Sequence, residues 1–212
     1  AKKKLTINDI KNKKNVEPIV MITAYDALFA KIFDDYADVI LVGDSLNMSF
    51  NMKESTLSAD MSTILYHTKA VCAGAKKTFI LADMPFGSYT NEKQAMKNAM
   101  KFFKQTNADA VKLEVGMHQV NLVKRLCEEG INVMAHIGLM PQFVRNEGGY
   151  KVKGRSEADE ARLIEEAQAL EHAGAFSAVV EGTLSPVAAK VAKSVQMPII
   201  GIGAGADVDG QV

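Results

Sequence analysis

Four apolar runs in this chain each end in a carboxylate. Asp44, Asp83, Glu114 and Glu181 follow the runs 39–43, 79–82, 110–113 and 178–180. Such runs are typical of strands buried on both faces of a parallel sheet, whose carboxyl ends share the rim where α/β proteins bind ligands. Four carboxylates at one rim would repel each other unless a cation or protons offset their charge. The pattern therefore predicts a divalent-metal site and favours an enzyme.

Asp44 and Asp83 form the strongest candidate pair of metal ligands. Mg²⁺ prefers oxygen ligands and is usually held by one or two carboxylates together with water and substrate oxygens. Glu114 completes the candidate set, either directly or through a water molecule. Taken singly, each aspartate is more often a helix cap or turn residue, which is the alternative for both.

Two further charged residues could act on a substrate. Lys112 lies two positions before Glu114, so both side chains point to the same side of a strand. Lys112 either neutralises a substrate carboxylate or forms a structural pair with Glu114. Glu181, at the end of an apolar run, is suited to act as a general base. A helix N-cap or a salt-bridge partner is its alternative role.

Two polar residues at the same rim are candidate substrate contacts. His136 ends a fifth apolar strand, and Ser45 directly follows Asp44. A hydrogen-bonded core histidine and a helix-cap serine are the respective alternatives. The glycine-rich, basic loop 148–155 is either a mobile lid or an ordinary surface loop. Gly201, Gly203 and Gly205 do not match a dinucleotide-binding fingerprint and indicate a close backbone approach instead.

The elements that must position these residues alternate strictly between strand and helix. Strands are predicted near 19–24, 39–43, 78–82, 110–114, 131–137, 176–181 and 198–202, with amphipathic helices between them. This alternation predicts either a (β/α)₈ barrel or a doubly wound open sheet. A barrel is favoured because it brings the rim positions of strands two, three, four and six around one mouth. The 212 residues then form a single domain, 1–212, that ends before its eighth strand.

Composition excludes several classes of partner. Lys plus Arg and Asp plus Glu both number 25, so no net field attracts nucleic acid or an anionic membrane surface. No apolar run approaches the ~20 residues of a membrane span, and no signal segment is recognised. The basic stretches 2–4 and 11–14 are expected to form a solvated arm. Cys72 and Cys127 fit no metal or disulfide motif, which suits a cytoplasmic protein with reduced thiols.

Eight motifs resemble those of the ketopantoate hydroxymethyltransferase family and occur in order from position 23 to the end of the chain. They are TAYD at 23–26, LVGDSL at 41–46, YHT at 66–68, LADMPF at 81–86, VKLE at 111–114, AHIGL at 135–139, GGYKV at 148–152 and GIGAG at 201–205.

The resemblance implies a fold and a reaction. It implies a (β/α)₈ TIM barrel of the phosphoenolpyruvate/pyruvate type, here lacking its eighth strand and C-terminal helices. It also implies transfer of a one-carbon unit from 5,10-methylenetetrahydrofolate to 3-methyl-2-oxobutanoate, with Mg²⁺, in pantothenate biosynthesis. By the same resemblance the protein is a homo-oligomer, a decameric ring. The residues that match are the metal ligands Asp44, Asp83 and Glu114, the keto-acid contacts Asp44, Ser45, Asp83 and Lys112, and the base Glu181.

Two other functions stay open on the sequence. Related barrels with a similar Mg²⁺ site are 2-oxo-acid lyases or mutases. The lyase branch uses a loop cysteine, whereas Cys72 and Cys127 fall in predicted helices. A barrel that binds a keto acid without catalysis is the other alternative, and it would not depend on Glu181.

Overall fold

The protein folds as a closed parallel barrel. The computed structural model describes residues 3–212, and within them eight strands are paired in chain order around the barrel. The strands are Ile19–Thr23 (β1), Val39–Val42 (β2), Phe79–Asp83 (β3), Ala110–Glu114 (β4), Val133–Gly138 (β5), Ser177–Glu181 (β6), Ile199–Ile202 (β7) and Gly210–Gln211 (β8). The barrel prediction is confirmed, and the open sheet is excluded.

Helices follow the strands as the alternation predicted. They are Ile7–Asn12 (α1), Ala27–Phe33 (α2), Leu46–Asn51 (α3), Met61–Gly74 (α4), Glu92–Gln105 (α5), Val120–Glu128 (α6), Val144–Glu147 (α7), Glu157–His172 (α8) and Ser185–Ser194 (α9). Short 3₁₀ turns at Met117–Gln119 and Pro141–Phe143 precede α6 and α7.

The prediction that the chain ends before its eighth strand is wrong. Gly210 and Gln211 form a two-residue strand that pairs in parallel with Ile200 and Gly201 of β7. So short a strand contains no apolar run, which is why its sequence gave no signal. A Cβ atom at Gly210 would lie 2.5 Å from the carbonyl oxygen of Ile19. Gly210 therefore allows the backbone to approach closely there.

The chain divides into two compact units. The first contains residues up to Asp9 together with Val20–Lys112, and the second contains Ile10–Ile19 and Leu113–Val212. The single-domain interpretation stays a prediction. In the first unit, buried Ile40, Phe79 and Ile80 form part of the core.

Helices α2 and α4 pack against each other in the first unit. Gly74 is the last residue of α4. A Cβ atom there would lie 2.1 Å from the carbonyl oxygen of Ala27. The glycine thus permits the helices to approach each other closely.

The N-terminal residues belong to the fold, so the prediction of a solvated arm is wrong over the part of it that the structure describes. In the first unit, Lys4 Nζ lies 2.6 Å from Asp109 Oδ2. In the second unit, the Lys14 ammonium lies 2.9 Å from Asp209 Oδ2 and also donates to the carbonyl oxygens of Ala192 and Met197. Sequence pattern alone does not reveal such long-range partners for a lysine.

Candidate active site

Asp83 lies at the last position of β3 and is buried. Its Oδ2 atom accepts a hydrogen bond of 3.0 Å from the backbone N–H of Asp44, which follows β2. Its Oδ1 atom lies 2.8 Å from Lys112 Nζ on β4, and both side chains are about 95% buried. The register places Asp83 directly opposite Lys112. A buried carboxylate of this kind requires such a compensating cation.

The Asp83–Lys112 contact is an ion pair without the geometry of a hydrogen bond. Oδ1 of Asp83 is buried and receives no hydrogen bond from the residues that the structure describes. A buried carboxylate oxygen in this condition has lone pairs available to a cation. The predicted alternative partner of Lys112 was Glu114, whereas the ion pair observed is with Asp83.

Asp44 and Ser45 enter the same region from the loop after β2. Asp44 is 4% exposed. The Ser45 hydroxyl lies 3.0 Å from the Tyr25 hydroxyl, and the carbonyl oxygen of Tyr25 lies 2.7 Å from Nδ1 of His67. A Cβ atom at Gly43 would lie 3.1 Å from the Ser45 hydroxyl oxygen and 3.4 Å from Asp83 Oδ2. The turn at Gly43 thus leaves room for these polar groups.

The helix-cap alternatives for these residues are not realised, although Asp44 does lie in a turn. Asp60 caps α4 through its side chain, and Asn91 caps α5 in the same way. Neither helix therefore uses Asp44 or Asp83 as its cap. Ser45 stands at the N-cap position of α3, but its side chain makes no capping hydrogen bond. Its hydroxyl meets Tyr25 instead.

In the second unit, Glu114 ends β4 as a buried side chain that is 2% exposed. Its Oε2 atom accepts a hydrogen bond of 2.9 Å from the backbone N–H of Gln142, the middle residue of a 3₁₀ turn. Just beyond Glu114, the N–H of Val115 donates to the carbonyl oxygen of His136. Glu114 is therefore held by the loop that follows β5.

His136 and Glu181 meet in the second unit. Nε2 of His136 lies 3.2 Å from Glu181 Oε2 and 2.9 Å from the carbonyl oxygen of Leu139. His136 is almost completely buried, and the side chain of Glu181 is 23% exposed. The helix after β6 has Leu184 at its N-cap position, so Glu181 does not cap it. A partly exposed carboxylate beside a buried imidazole is suited to proton transfer.

The candidate metal ligands fit a site built from few protein groups. No cluster of three or more His, Cys, Asp or Glu side chains suited to a metal ion occurs among residues 3–212. Mg²⁺ does not require one, because two carboxylates plus water and substrate oxygens often complete its shell. Asp44 and Asp83 provide two buried carboxylates, and Asp83 has an oxygen atom that receives no hydrogen bond.

The sequence predicted the charged residues of the site but not the groups that hydrogen-bond to them. Asp44, Ser45, Asp83 and Lys112 come together in the first unit, and His136 and Glu181 come together in the second. The hydroxyl of Tyr25, the backbone N–H of Gln142 and the backbone carbonyl of Leu139 were not predicted to contact them. Tyr25 lies within a recognised motif and could have been found there. The two backbone contacts have no sequence signal, because any residue supplies them.

A model of one protein family matches residues 4–212, nearly the whole chain; its description is ketopantoate hydroxymethyltransferase. The chain belongs to this family. It is 83% identical over 212 residues to the 3-methyl-2-oxobutanoate hydroxymethyltransferase of Campylobacter concisus (strain 13826), covering 100% of this chain and 78% of that protein. The same-named Helicobacter pylori (strain Shi470) protein is 57% identical over 210 residues, or 99% and 78% of the two chains. The chain is accordingly a transferase of the ketopantoate hydroxymethyltransferase family.

Solved structures show the same fold at low identity. A phosphonopyruvate hydrolase, solved as a complex with oxalate and Mg²⁺, matches with a TM-score of 0.72 and 14% identity over 98% of this chain and 80% of that one. A 2,3-dimethylmalate lyase of the PEP mutase/isocitrate lyase superfamily matches with a TM-score of 0.69 and 15% identity over 97% and 78%. These likenesses agree with the barrel fold described above.

The positions of the two cysteines bear on the lyase alternative. Cys72 lies on α4 and Cys127 on α6, as predicted. Neither thiol is therefore on a loop after a strand, where the lyase branch carries its cysteine.

None of the helices in residues 3–212 is long and apolar enough to span a membrane.

Proposed function

We propose that this protein is a 3-methyl-2-oxobutanoate hydroxymethyltransferase that uses 5,10-methylenetetrahydrofolate and Mg²⁺ to form 2-dehydropantoate. Family membership over nearly the whole chain supports the reaction. The observation that carries the chemistry is buried Asp83, held between the Asp44 N–H and the Lys112 ammonium with one oxygen that receives no hydrogen bond.

Asp44 and Asp83 are the proposed Mg²⁺ ligands, with Glu114 acting directly or through water. When bound, Mg²⁺ would act as a Lewis acid that polarises the keto group of the substrate and acidifies its C3–H bond. The Asp44 N–H bond to Asp83 fixes Oδ2, and Oδ1, which receives no hydrogen bond, lies in the ion pair with the Lys112 ammonium. Carboxylates held rigidly in this way lose little conformational freedom on binding.

Lys112, Ser45 and His136 are the proposed contacts for the keto acid. The Lys112 ammonium offsets the negative charge of the substrate carboxylate, since it is buried and already fixed by Asp83. The Ser45 hydroxyl donates to a substrate oxygen while Tyr25 orients it. The buried histidine beside Glu181 provides a further polar contact.

Glu181 is the proposed general base. It removes the C3 proton, and the resulting enolate carbon forms a new bond to the one-carbon unit of the folate. Water then supplies the hydroxyl group, and tetrahydrofolate leaves. In sum, one C–H bond, the two folate N–CH₂ bonds and one O–H bond of water break, while one C–C, one C–O and two N–H bonds form, and no electrons are gained or lost.

The first alternative, a 2-oxo-acid lyase or mutase, is disfavoured by the names of the relatives at 57–83% identity. In the second, a barrel that binds without catalysis, Glu181 would only be a salt-bridge partner of the buried, hydrogen-bonded His136. We keep the further proposals that the enzyme is a homo-oligomer, a decameric ring by resemblance, and acts in the cytoplasm on small molecules.

Product analysis tests the proposal. The purified protein is incubated with 3-methyl-2-oxobutanoate and 5,10-methylenetetrahydrofolate, with Mg²⁺ or with a chelator, and 2-dehydropantoate is measured by mass spectrometry. We expect product with Mg²⁺ and its loss with the chelator. Cleavage of the keto acid without folate would instead support the lyase alternative. Substrate binding without any product would support the non-catalytic barrel.

A further inference from the structure

A cationic segment is hydrogen-bonded to the residues that directly follow the candidate base, Glu181. This segment, residues 145–155, carries Arg145, Lys151, Lys153 and Arg155 against a single acidic residue, Glu147. It lies within the connection between β5 and α8 and includes most of α7. None of the roles proposed above uses it.

The cationic segment is tied to the residues after β6. The N–H of Lys153 donates to the carbonyl oxygen of Gly182 at 2.8 Å, and the N–H of Leu184 donates to the carbonyl oxygen of Lys153 at 3.0 Å. Lys153 and Thr183 thereby form a parallel bridge. Gly182 directly follows Glu181, so the segment is anchored within a few residues of the candidate base.

The anchor determines which cations face solvent. The ammonium of Lys153 is paired with the carboxylate of Glu147, and both side chains are largely buried. Lys151 and Arg155, on either side of Lys153, are exposed. The Lys153–Glu147 pair therefore helps to hold the segment in place. The exposed charges available to a ligand are those of Lys151 and Arg155 and, on α7, that of Arg145.

An apolar surface lies beside these charges. Tyr150 is 51% exposed, Val152 is 42% exposed, and Leu184, bonded to the segment through Lys153, is 43% exposed. Exposed apolar groups beside cations match a ligand with a flat ring and carboxylates.

We propose that the cationic segment binds the p-aminobenzoyl-glutamate part of the folate co-substrate. This inference rests on the proposed function, which requires the one-carbon end of the folate to reach the substrate carbon near Glu181. The remainder of the folate then extends away from Glu181, toward residues anchored to it. Its benzoyl ring lies against Tyr150 and Leu184, and its glutamate carboxylates lie near Lys151 and Arg155.

Charge removal on the segment tests the assignment. The double variant Lys151→Gln/Arg155→Gln is compared with Lys124→Gln/Lys193→Gln, which removes two exposed charges from α6 and α9. We expect the KM for triglutamyl 5,10-methylenetetrahydrofolate to rise about tenfold in the first variant only. The KM for the keto acid, the kcat and the exchange of its C3 proton stay unchanged.

Two further readouts separate a charge contact from a general disturbance. In the wild type, added salt raises the KM for the triglutamyl folate, and this dependence is weaker in Lys151→Gln/Arg155→Gln. The monoglutamyl folate, with fewer carboxylates, responds less to the double variant. Tyr150→Ala raises the KM for both folates, because it removes part of the surface for the ring.

The outcomes distinguish this inference from the proposed function. Equal KM values in the two double variants, with normal turnover, would overturn the folate site and leave the hydroxymethyltransferase intact. Absence of hydroxymethyl product in the wild type would overturn the proposed function, and the folate site with it.

Discussion

Nε2 of His136 lies 3.2 Å from Oε2 of Glu181, across two neighbouring strands whose pairing places Gly138 opposite Glu181. The same nitrogen lies 2.9 Å from the carbonyl oxygen of Leu139. Because a carboxylate and a carbonyl oxygen both accept hydrogen bonds, Nε2 must carry the hydrogen. The imidazole therefore orients the carboxylate that we propose as the base.

Replacing His136 tests this orienting role. We expect His136→Leu to lower kcat about tenfold or more, because a misplaced base loses proton-transfer efficiency. His136→Gln, whose amide N–H can replace Nε2–H, should recover most of that loss. Steady-state kinetics with the keto acid measure both variants. Equal losses in Leu and Gln variants, with an unchanged pH profile, would mean that the histidine only fills space.

The Lys112–Asp83 pair allows the proposed metal binding to be tested through stability. Lys112→Met leaves Asp83 as a buried carboxylate without its cation, which should cost about 3–5 kcal/mol of unfolding free energy. If Asp83 binds Mg²⁺, the added ion should recover part of this loss. Urea unfolding with Mg²⁺ and with a chelator measures both effects.

The matched control is the double variant Asp83→Asn/Lys112→Met. It has neither charge, so it should be more stable than Lys112→Met alone and should respond less to Mg²⁺. The same Mg²⁺ response in both variants would place the ion elsewhere.

Asp34 stabilises the turn before β3 in a pH-dependent way. Burial raises its pKa, but hydrogen bonds from the backbone N–H groups of Lys76, Thr78 and Lys77 outweigh this and hold the pKa below its ordinary value. We expect Asp34→Asn to cost about 2–3 kcal/mol of unfolding free energy at pH 7. Exposed Asp35, changed to Asn, should cost less than about 1 kcal/mol.

The sign of the pH dependence follows from the lowered pKa of Asp34. The folded state prefers the carboxylate, so its contribution is complete above the unfolded pKa of about 3.9 and is lost as pH falls through the lower folded value. The stability gap between wild type and Asp34→Asn should thus be constant near neutral pH and shrink below about pH 4. Chemical unfolding at several pH values tests this, and a gap that widens in acid would refute it.

The two cysteines should be unreactive in the folded protein. Burial raises the pKa of the Cys127 thiol to about 11 and also raises that of Cys72. At pH 8 the thiolate fraction of Cys127 is then about a hundredfold below that of a free cysteine. We expect slow alkylation by iodoacetamide in buffer and fast alkylation in urea. Rapid labelling of the folded protein with loss of activity would revive the lyase alternative.

The sequence predicted the strands and their terminal carboxylates because long apolar runs and acids at their ends are local signals. Asp83 and Lys112 are an example: each was found by its place in a strand. The ion pair between Asp83 and Lys112 was not predicted. Glu114, two residues along the same strand, was the nearer candidate partner of Lys112. Which of two acids a lysine meets depends on the register between strands, and a single sequence does not contain that register.

Other features escaped for similar physical reasons. The two-residue strand at Gly210 has no periodicity to detect, and Lys14 finds Asp209 only through the folded chain. The bond from the Gln142 N–H to Glu114 involves a backbone group that every residue except proline carries. Local sequence patterns thus predicted the candidate site residues, whereas the contacts that position those residues are long-range and were not predicted.

The most direct test of the account follows the C3 proton of 3-methyl-2-oxobutanoate by NMR in D₂O, with Mg²⁺, with a chelator, and with Glu181→Gln. Loss of the proton signal that requires both Mg²⁺ and Glu181 is the predicted result, since the Glu181 carboxylate is the proposed base. Exchange that continues in Glu181→Gln at the wild-type rate would contradict it.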